Sequence, residues 1–168
     1  MIDAYIHRLF EREGHFSNHP NDRGGATKFG ITHTTLSTWR GKPATIDDVR
    51  SLTAEEATAI YKALYFDNHR IGSLPDPIEE QLFDYGVNSG PQVAIRALQE
   101  CLSLPADGII GPATIAASTA SCALDGGRSL NTQLAKARLM MLARICRRDP
   151  SQLVFLAGWM KRSLDFIR

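Results

Sequence analysis

The chain has few cysteines, no long apolar run and no repeat, and each absence narrows what it can be. Its three cysteines, Cys101, Cys122 and Cys146, are odd in number and far apart, with no C-x-x-C pair. Neither a disulfide framework nor a thiolate zinc site is expected, and buried free thiols are the natural reading. No apolar stretch approaches the roughly 20 residues of a membrane-spanning helix. The first residues, Met1-Ile2-Asp3-Ala4-Tyr5-Ile6-His7-Arg8, mix polar and apolar side chains and carry an acid at once, unlike a cleavable secretion signal. Synthesis in the cytoplasm without signal peptide or transmembrane segment is therefore expected. There is no internal repeat and no low-complexity tract. His15 and His19 stand four apart, but Ser17-Asn18 and Pro20 make their segment a loop and not the helical face that binds zinc. No metal or organic cofactor is implied.

What is present suits a compact globular protein. The 168 residues are 43% hydrophobic and 22% charged, enough for one core with room for two lobes. The net charge of +1 is unevenly spread: residues 136 to 168 carry a surplus of six positive charges and the remainder a deficit of five. A basic end attracts anionic surfaces, whether nucleic acid, phospholipid headgroups or a cell envelope. An ordinary solvated helix face accounts for the same charges equally well.

The apolar spacing is helical nearly throughout. Ile2, Tyr5, Ile6, Leu9 and Phe10 mark one amphipathic helix that ends near Glu13, with Gly14 as the stop. Residues 14 to 31 are rich in Gly, Asn, Asp and Pro and read as turns, with a small hairpin near residues 25–32. A short helix spans about Thr34 to Arg40. Thr53 and Glu56 have capping-box spacing before a helix that runs to about Phe66. The Gly72-to-Pro77 break is the expected hinge. Helices follow over Ile78 to Val87, from Pro91 with Val93, Ala94, Ala97, Leu98 and Leu102 as its stripe, from Pro112, over Leu130 to Arg147, and after Asp149-Pro150. The fold class is all-α, with β structure limited to that hairpin.

The densest reactive segment runs from Glu13-Gly14-His15-Phe16 through Asn21-Asp22-Arg23-Gly24-Gly25-Ala26-Thr27. Glycoside hydrolysis needs one carboxyl group that stays protonated near neutrality and a second polar or acidic group that steadies the oxocarbenium-like transition state or activates water. Glu13 suits the first role: it ends an apolar helix, where the helix dipole disfavours a carboxylate and Phe10, Phe16 and Phe29 can wall it in. Asp22 suits the second, in a Gly-rich loop whose backbone can approach a sugar. Thr27, after that turn, suits positioning of a water. Each has a plainer reading. A glutamate at a helix end is usually solvated, and an aspartate before Arg-Gly-Gly often bonds its own turn. A second feature, Phe83-Asp84-Tyr85-Gly86-Val87-Asn88-Ser89-Gly90, places Tyr85 and Asn88 where stacking and hydrogen bonding to a sugar are possible, though a helix corner explains them as well. In Asp107-Gly108, the aspartate suits tying the loop to itself. Trp39 is a possible sugar platform, whereas Trp159 sits on an apolar helix as core.

Taken in order, these segments resemble glycoside hydrolase family 108. Glu13-Gly14-His15-Phe16 with Asn21 through Thr32 is similar to its first signature, and Phe83 through Gly90 to its second. Asp107-Gly108-Ile109-Ile110-Gly111-Pro112-Ala113-Thr114 and Gly158-Trp159-Met160-Lys161-Arg162 resemble the peptidoglycan-binding segment that follows. The resemblance implies a lysozyme-like, two-lobed, mainly helical fold, a catalytic lobe over 1–90 and a helical peptidoglycan-binding segment over 91–168 packed on it. It implies a phage-endolysin type of peptidoglycan N-acetylmuramidase that cleaves the β-1,4 bond after N-acetylmuramic acid, with Glu13 as acid. By analogy with phage lysozymes, Asp22 and Thr27 are its partners, and His15, Phe29, Thr32, Tyr85 and Asn88 contact substrate. One departure is His15, where the family usually has glycine; an imidazole there can titrate near neutrality. Peptidoglycan is the expected partner, with an anionic envelope surface for the basic end, no nucleic acid and a monomeric state. Release to the wall by a holin-type pore follows from the same resemblance. A lytic transglycosylase and a non-catalytic wall-binding or secretion-assisting protein are the competing expectations.

Overall fold

A computed structural model describes residues 2–13, 16–17 and 25–167; the side chains of Arg12 and Glu13 lie outside that description. The chain falls into two compact units, Met1–Leu64 and Tyr65–Arg168.

The first unit opens with α1 (Ile2–Glu13), whose buried residues Ile6 and Leu9 follow the expected stripe. Its start is held by Lys62 Nζ, 2.6 Å from Asp3 Oδ1. Strands β1 (Thr27–Lys28) and β2 (Ile31–Thr32) pair antiparallel, Thr27 opposite Thr32 and Lys28 opposite Ile31. Their two-residue link, Phe29-Gly30, has φ of 54° and 76°. Two positive φ values in succession give the turn whose twist matches a tight hairpin. Ser17 extends this pairing through two 2.8 Å backbone bonds to Thr27.

Helix α2 (His33–Arg40) starts where the Thr32 hydroxyl accepts from the Thr35 amide, and stops at Gly41, whose φ of 66° is readily adopted by glycine. Helix α3 (Ile46–Ser51) carries a full capping box between Thr45 and Asp48. At α4 (Ala54–Ile60) the box expected from Thr53 and Glu56 is only half formed. Thr53 accepts from the Glu56 amide, but the Glu56 carboxylate turns away to take two bonds from Arg40, at 2.9 and 2.8 Å. A doubly bonded guanidinium outweighs a single backbone N–H as a partner for a carboxylate. A π-helical turn, Tyr61–Phe66, continues α4. Leu36, Val49, Leu52, Ala57 and Ile60 are fully buried and, with Ile31, form the core.

The second unit is built on α5 (Asp76–Ser89), α6 (Pro91–Cys101), α7 (Pro112–Asp125), α8 (Arg128–Arg148) and α9 (Leu153–Leu164). Helix α8 packs against each of the other four. Proline opens α6 and α7 at a position where no amide is needed. The stripe of α6 differs by one position from its expected form: Val93 is exposed and Ile95 is buried, because the face turned inward is Ala94, Ile95, Ala97 and Leu98. Buried Gln99 joins that face and organises the following loop. Its Nε2 donates to Asp107 Oδ1 at 2.7 Å and to the Ile109 carbonyl at 3.0 Å, while its Oε1 accepts from the Gly108 amide at 2.8 Å. Asp107 also accepts from the Ile109 amide, the self-tying expected of it. The Gly72-to-Pro77 break lies inside this unit, as a 3-10 turn over Ile71–Ser73 leading into α5.

The expectation of an all-α, lysozyme-like fold holds. Among the described residues the hairpin is the only sheet, and no helix there is long and apolar enough to cross a membrane. The thiols of Cys101, Cys122 and Cys146 are free, and Cys146 is buried.

Candidate active site

The expected acid, Glu13, is the last residue of α1. Phe10, one turn earlier, is half-buried and its ring centroid stands 4.7 Å from that of Phe29 and 6.2 Å from that of Tyr61. Three aromatic rings from α1, the hairpin turn and the π-helical turn thus make one apolar cluster at the end of the first helix. Lys28 closes its flank: its ammonium lies 5.4 Å from the Phe29 ring centroid and donates to the Arg50 carbonyl at 2.8 Å. The Arg50 guanidinium lies 4.9 Å from the ring of Phe16.

Phe29 itself is strained. A φ of 54° is unfavourable for a residue with a bulky Cβ substituent, by roughly 1–2 kcal/mol. Such a conformation persists only where its surroundings hold it. Here the buried Tyr61 hydroxyl donates to the Phe29 carbonyl at 2.8 Å.

Of the residues expected to act on substrate, the first unit displays three. Thr27 is half-buried, both of its backbone groups bond Ser17, and its hydroxyl has no hydrogen-bond partner among the described residues. Phe29 stands in the aromatic cluster. Thr32 caps α2, and its hydroxyl is shared between the Thr35 amide and the Thr35 hydroxyl, both at 3.1 Å. The side chain of Glu13, and all of His15 and Asp22, lie outside the described residues.

In the second unit, Tyr85 is 1% exposed. Its hydroxyl donates to Met141 Sδ at 3.5 Å, the Arg138 guanidinium covers its ring at 5.2 Å, and burial pushes its pKa up to about 12. Tyr85 therefore serves packing and presents no face to a sugar. The reason is that α8 covers it, which local spacing does not reveal. Asn88 is half-buried in the last turn of α5, and its side chain has no partner among the described residues. Trp39 is 36% exposed on α2, as a platform requires. Trp159 is half-buried and stacks on Phe155 at 5.7 Å, less enclosed than a core residue.

Two groups escaped the sequence reading. Tyr61 falls within the helix expected to run to about Phe66, and its bond to a residue 32 positions earlier has no local signal. Arg138 and Arg162 counted toward the basic end, yet both are buried on Asp84: Arg138 Nη1 donates at 2.7 Å and Arg162 Nε at 2.9 Å. Among the described residues, the cations of this end that are exposed are Lys136, Arg144, Arg147, Arg148 and Lys161.

The glycosyl hydrolase 108 family matches residues 6–90, which include the aromatic cluster and both Glu13 and Asn88. A family described as a predicted peptidoglycan domain matches residues 93–164. No curated protein matches the chain. Among solved structures, the one described as "Structure of Brucella abortus SagA" is similar with a TM-score of 0.81 and 30% identity, over 99% of this chain and 95% of that one. With a helical fold, a family match across the aromatic cluster and a second match across α6 to α9, the chain belongs to the glycosyl hydrolase 108 family and is a glycosidase-type protein that acts on peptidoglycan.

Proposed function

We propose that this protein is a lysozyme, an N-acetylmuramidase that hydrolyses the β-1,4 bond between N-acetylmuramic acid and N-acetylglucosamine. The observation that carries the reading is the position of Glu13, which ends α1 one turn beyond Phe10, the ring that packs on Phe29 and Tyr61. An apolar setting and the negative end of the helix dipole both favour the protonated form of a carboxyl group. Glu13 donates its proton to the glycosidic oxygen as the bond to the anomeric carbon breaks. Asp22 takes a proton from a water that adds to that carbon, and the hydroxyl of Thr27 positions the water. Phe29 and Asn88 contact the sugar chain. A separation of about 6.5–9.5 Å between the two carboxyl groups gives inversion, and about 5–5.5 Å a covalent retaining route. Residues 1–90 are the catalytic part and 91–168 the wall-binding part. The protein works as an endolysin, reaching the wall after a pore opens, and its exposed C-terminal cations favour an anionic envelope surface.

The test is product analysis of purified wall. The wild type yields hydrated, reducing muramic ends, and Glu13→Gln lowers the rate by about 10²–10⁴ through lost proton transfer. Anhydro ends assign a lytic transglycosylase instead. Undiminished activity of the variant removes Glu13 from the reaction.

A further inference from the structure

The second unit contains a cleft of about 400 Å³ that none of the residues expected to contact substrate lines. Asp76 and Glu80, one turn apart on α5, supply carboxylates to its wall, and Arg128, at the start of α8, supplies a guanidinium. Neither Asp76 nor Arg128 makes an ion pair among the described residues, although both line the same space. Phe166 and Pro77 add apolar surface. Asp76 and Arg128, of opposite sign on one cleft and without an ion pair among the described residues, complement a ligand carrying both signs.

The walls are held in place before any ligand arrives. Gln81 Nε2 donates to the Asn131 carbonyl at 3.1 Å, and Asn131 Nδ2 donates to the Pro77 carbonyl at 2.8 Å, so α5 and α8 are tied through Asn131. The Asp125 carboxylate accepts from the amides of Gly127 and Ser129, at 3.0 and 2.9 Å, and fixes the left-handed Gly126-Gly127 turn from which Arg128 projects. Fixed walls lower the ordering cost of binding.

We infer that this cleft binds the free amino-acid head of a peptidoglycan stem peptide, an ammonium and a carboxylate on one carbon at the end of an apolar chain, as in meso-diaminopimelate. The ammonium faces Asp76 and Glu80, the carboxylate faces Arg128, and the methylene chain lies along Phe166 and Pro77. This rests on the reading of the protein as peptidoglycan-acting. The glycan strand, with its N-acetylated amines, offers no ammonium and does not fit. A lysine-type stem offers the ammonium without the carboxylate and leaves Arg128 unanswered. Each single contact is weak because Asp76 and Arg128 are exposed, but a wall presents many stems and multiplies a weak site.

The experiment is titration of the full-length protein with two synthetic tripeptides, L-Ala-D-Glu-meso-diaminopimelate and its L-lysine counterpart, followed by amide resonances in 0.15 M salt. The diaminopimelate peptide is expected to shift Gly126, Arg128 and Asn131 and to bind about tenfold more tightly than the lysine peptide. Arg128→Ala removes that preference, and Asp76→Asn with Glu80→Gln weakens both peptides. Equal affinity for the two peptides, no shift at these residues, or a preference that survives Arg128→Ala overturns the assignment. Glycan cleavage by the wild type is measured separately. Its absence speaks against the muramidase reading and leaves the peptide result standing.

Discussion

The Tyr61 hydroxyl donates to the carbonyl of Phe29 over 2.8 Å, and Phe29 holds a φ of 54°. One bond from the π-helical turn therefore fastens a left-handed aromatic residue at the hairpin that carries Thr27. Tyr61→Phe keeps the ring and deletes the donor, leaving a part-buried carbonyl unanswered. The expected cost is about 1 kcal/mol of stability, together with slower wall lysis as the hairpin loosens. Urea unfolding and turbidity loss measure the two. An unchanged midpoint together with an unchanged rate would show that the bond does not hold the turn.

Asp84 is shared by Arg138 and Arg162 in the interior of the second unit. Burial pulls the Arg138 guanidinium down from its ordinary pKa, and Asp84 pulls it back up. Arg138 Nε and Nη2 are buried without a hydrogen-bond partner among the described residues. Asp84→Asn leaves buried positive charge uncompensated and is expected to cost about 3–5 kcal/mol. A loss under about 1 kcal/mol by denaturant titration would contradict this account.

Gly126 and Gly127 form a matched pair. Both have positive φ, 68° and 84°, but a Cβ on Gly126 meets nothing within 4 Å, whereas one on Gly127 comes 3.0 Å from Pro77 Cβ and 3.1 Å from Cys122 Sγ. Gly126→Ala carries the backbone term alone, about 1 kcal/mol. Gly127→Ala adds overpacking, for a total on the order of 2–4 kcal/mol. Thermal melts of the two variants in the reverse order would refute the packing argument.

In the first unit, the hydrogen bond from Arg40 holds Glu56 below its ordinary pKa, and bonds from Thr45 hold Asp48 below its own. A carboxylate with a depressed folded pKa contributes stability that is present above its unfolded value. That contribution is lost as pH falls through the folded value. Stability should therefore drop in the acid range, below about pH 4. Glu56→Gln should flatten that drop while costing no more than about 1 kcal/mol at neutral pH, since the pair is partly exposed. Unfolding curves collected from pH 7 to pH 2 that keep the wild-type slope in the variant would rule this out.

The exposed cations of the C-terminal end are expected to hold the protein on anionic lipid vesicles, less strongly as salt rises. Arg147→Gln with Arg148→Gln should weaken vesicle co-sedimentation several-fold in 0.05 M salt. Retention that is the same with and without these arginines, at every salt concentration, would assign them to simple solvation.

Much of the fold was legible because it is written in short-range chemistry. The stripe of Ile6 and Leu9, the prolines that open α6 and α7, the glycine that stops α2 and the self-bonded Asp107 all depend on neighbours within a turn or two. Short-range rules also misled where a distant group outbid a local one. Glu56 has capping-box spacing, yet Arg40, sixteen positions away, takes its carboxylate. Tyr85 lies in a segment that suits sugar contact, yet α8 and its Arg138 cover it. The surplus charge of the C-terminal end was counted correctly, but two of its arginines spend their charge inside on Asp84.

By itself the sequence determined the helical class, several of the helix starts and stops and the family, because periodicity, caps and motif order are properties of neighbouring residues. Only the tertiary structure decided which side chains face solvent and which face one another: Phe10 against Phe29 and Tyr61, two arginines on one aspartate, and Asp76 and Arg128 around one cleft without an ion pair among the described residues. Those relationships join positions tens of residues apart. They are set by how packed helices exclude water, and no local pattern encodes that outcome.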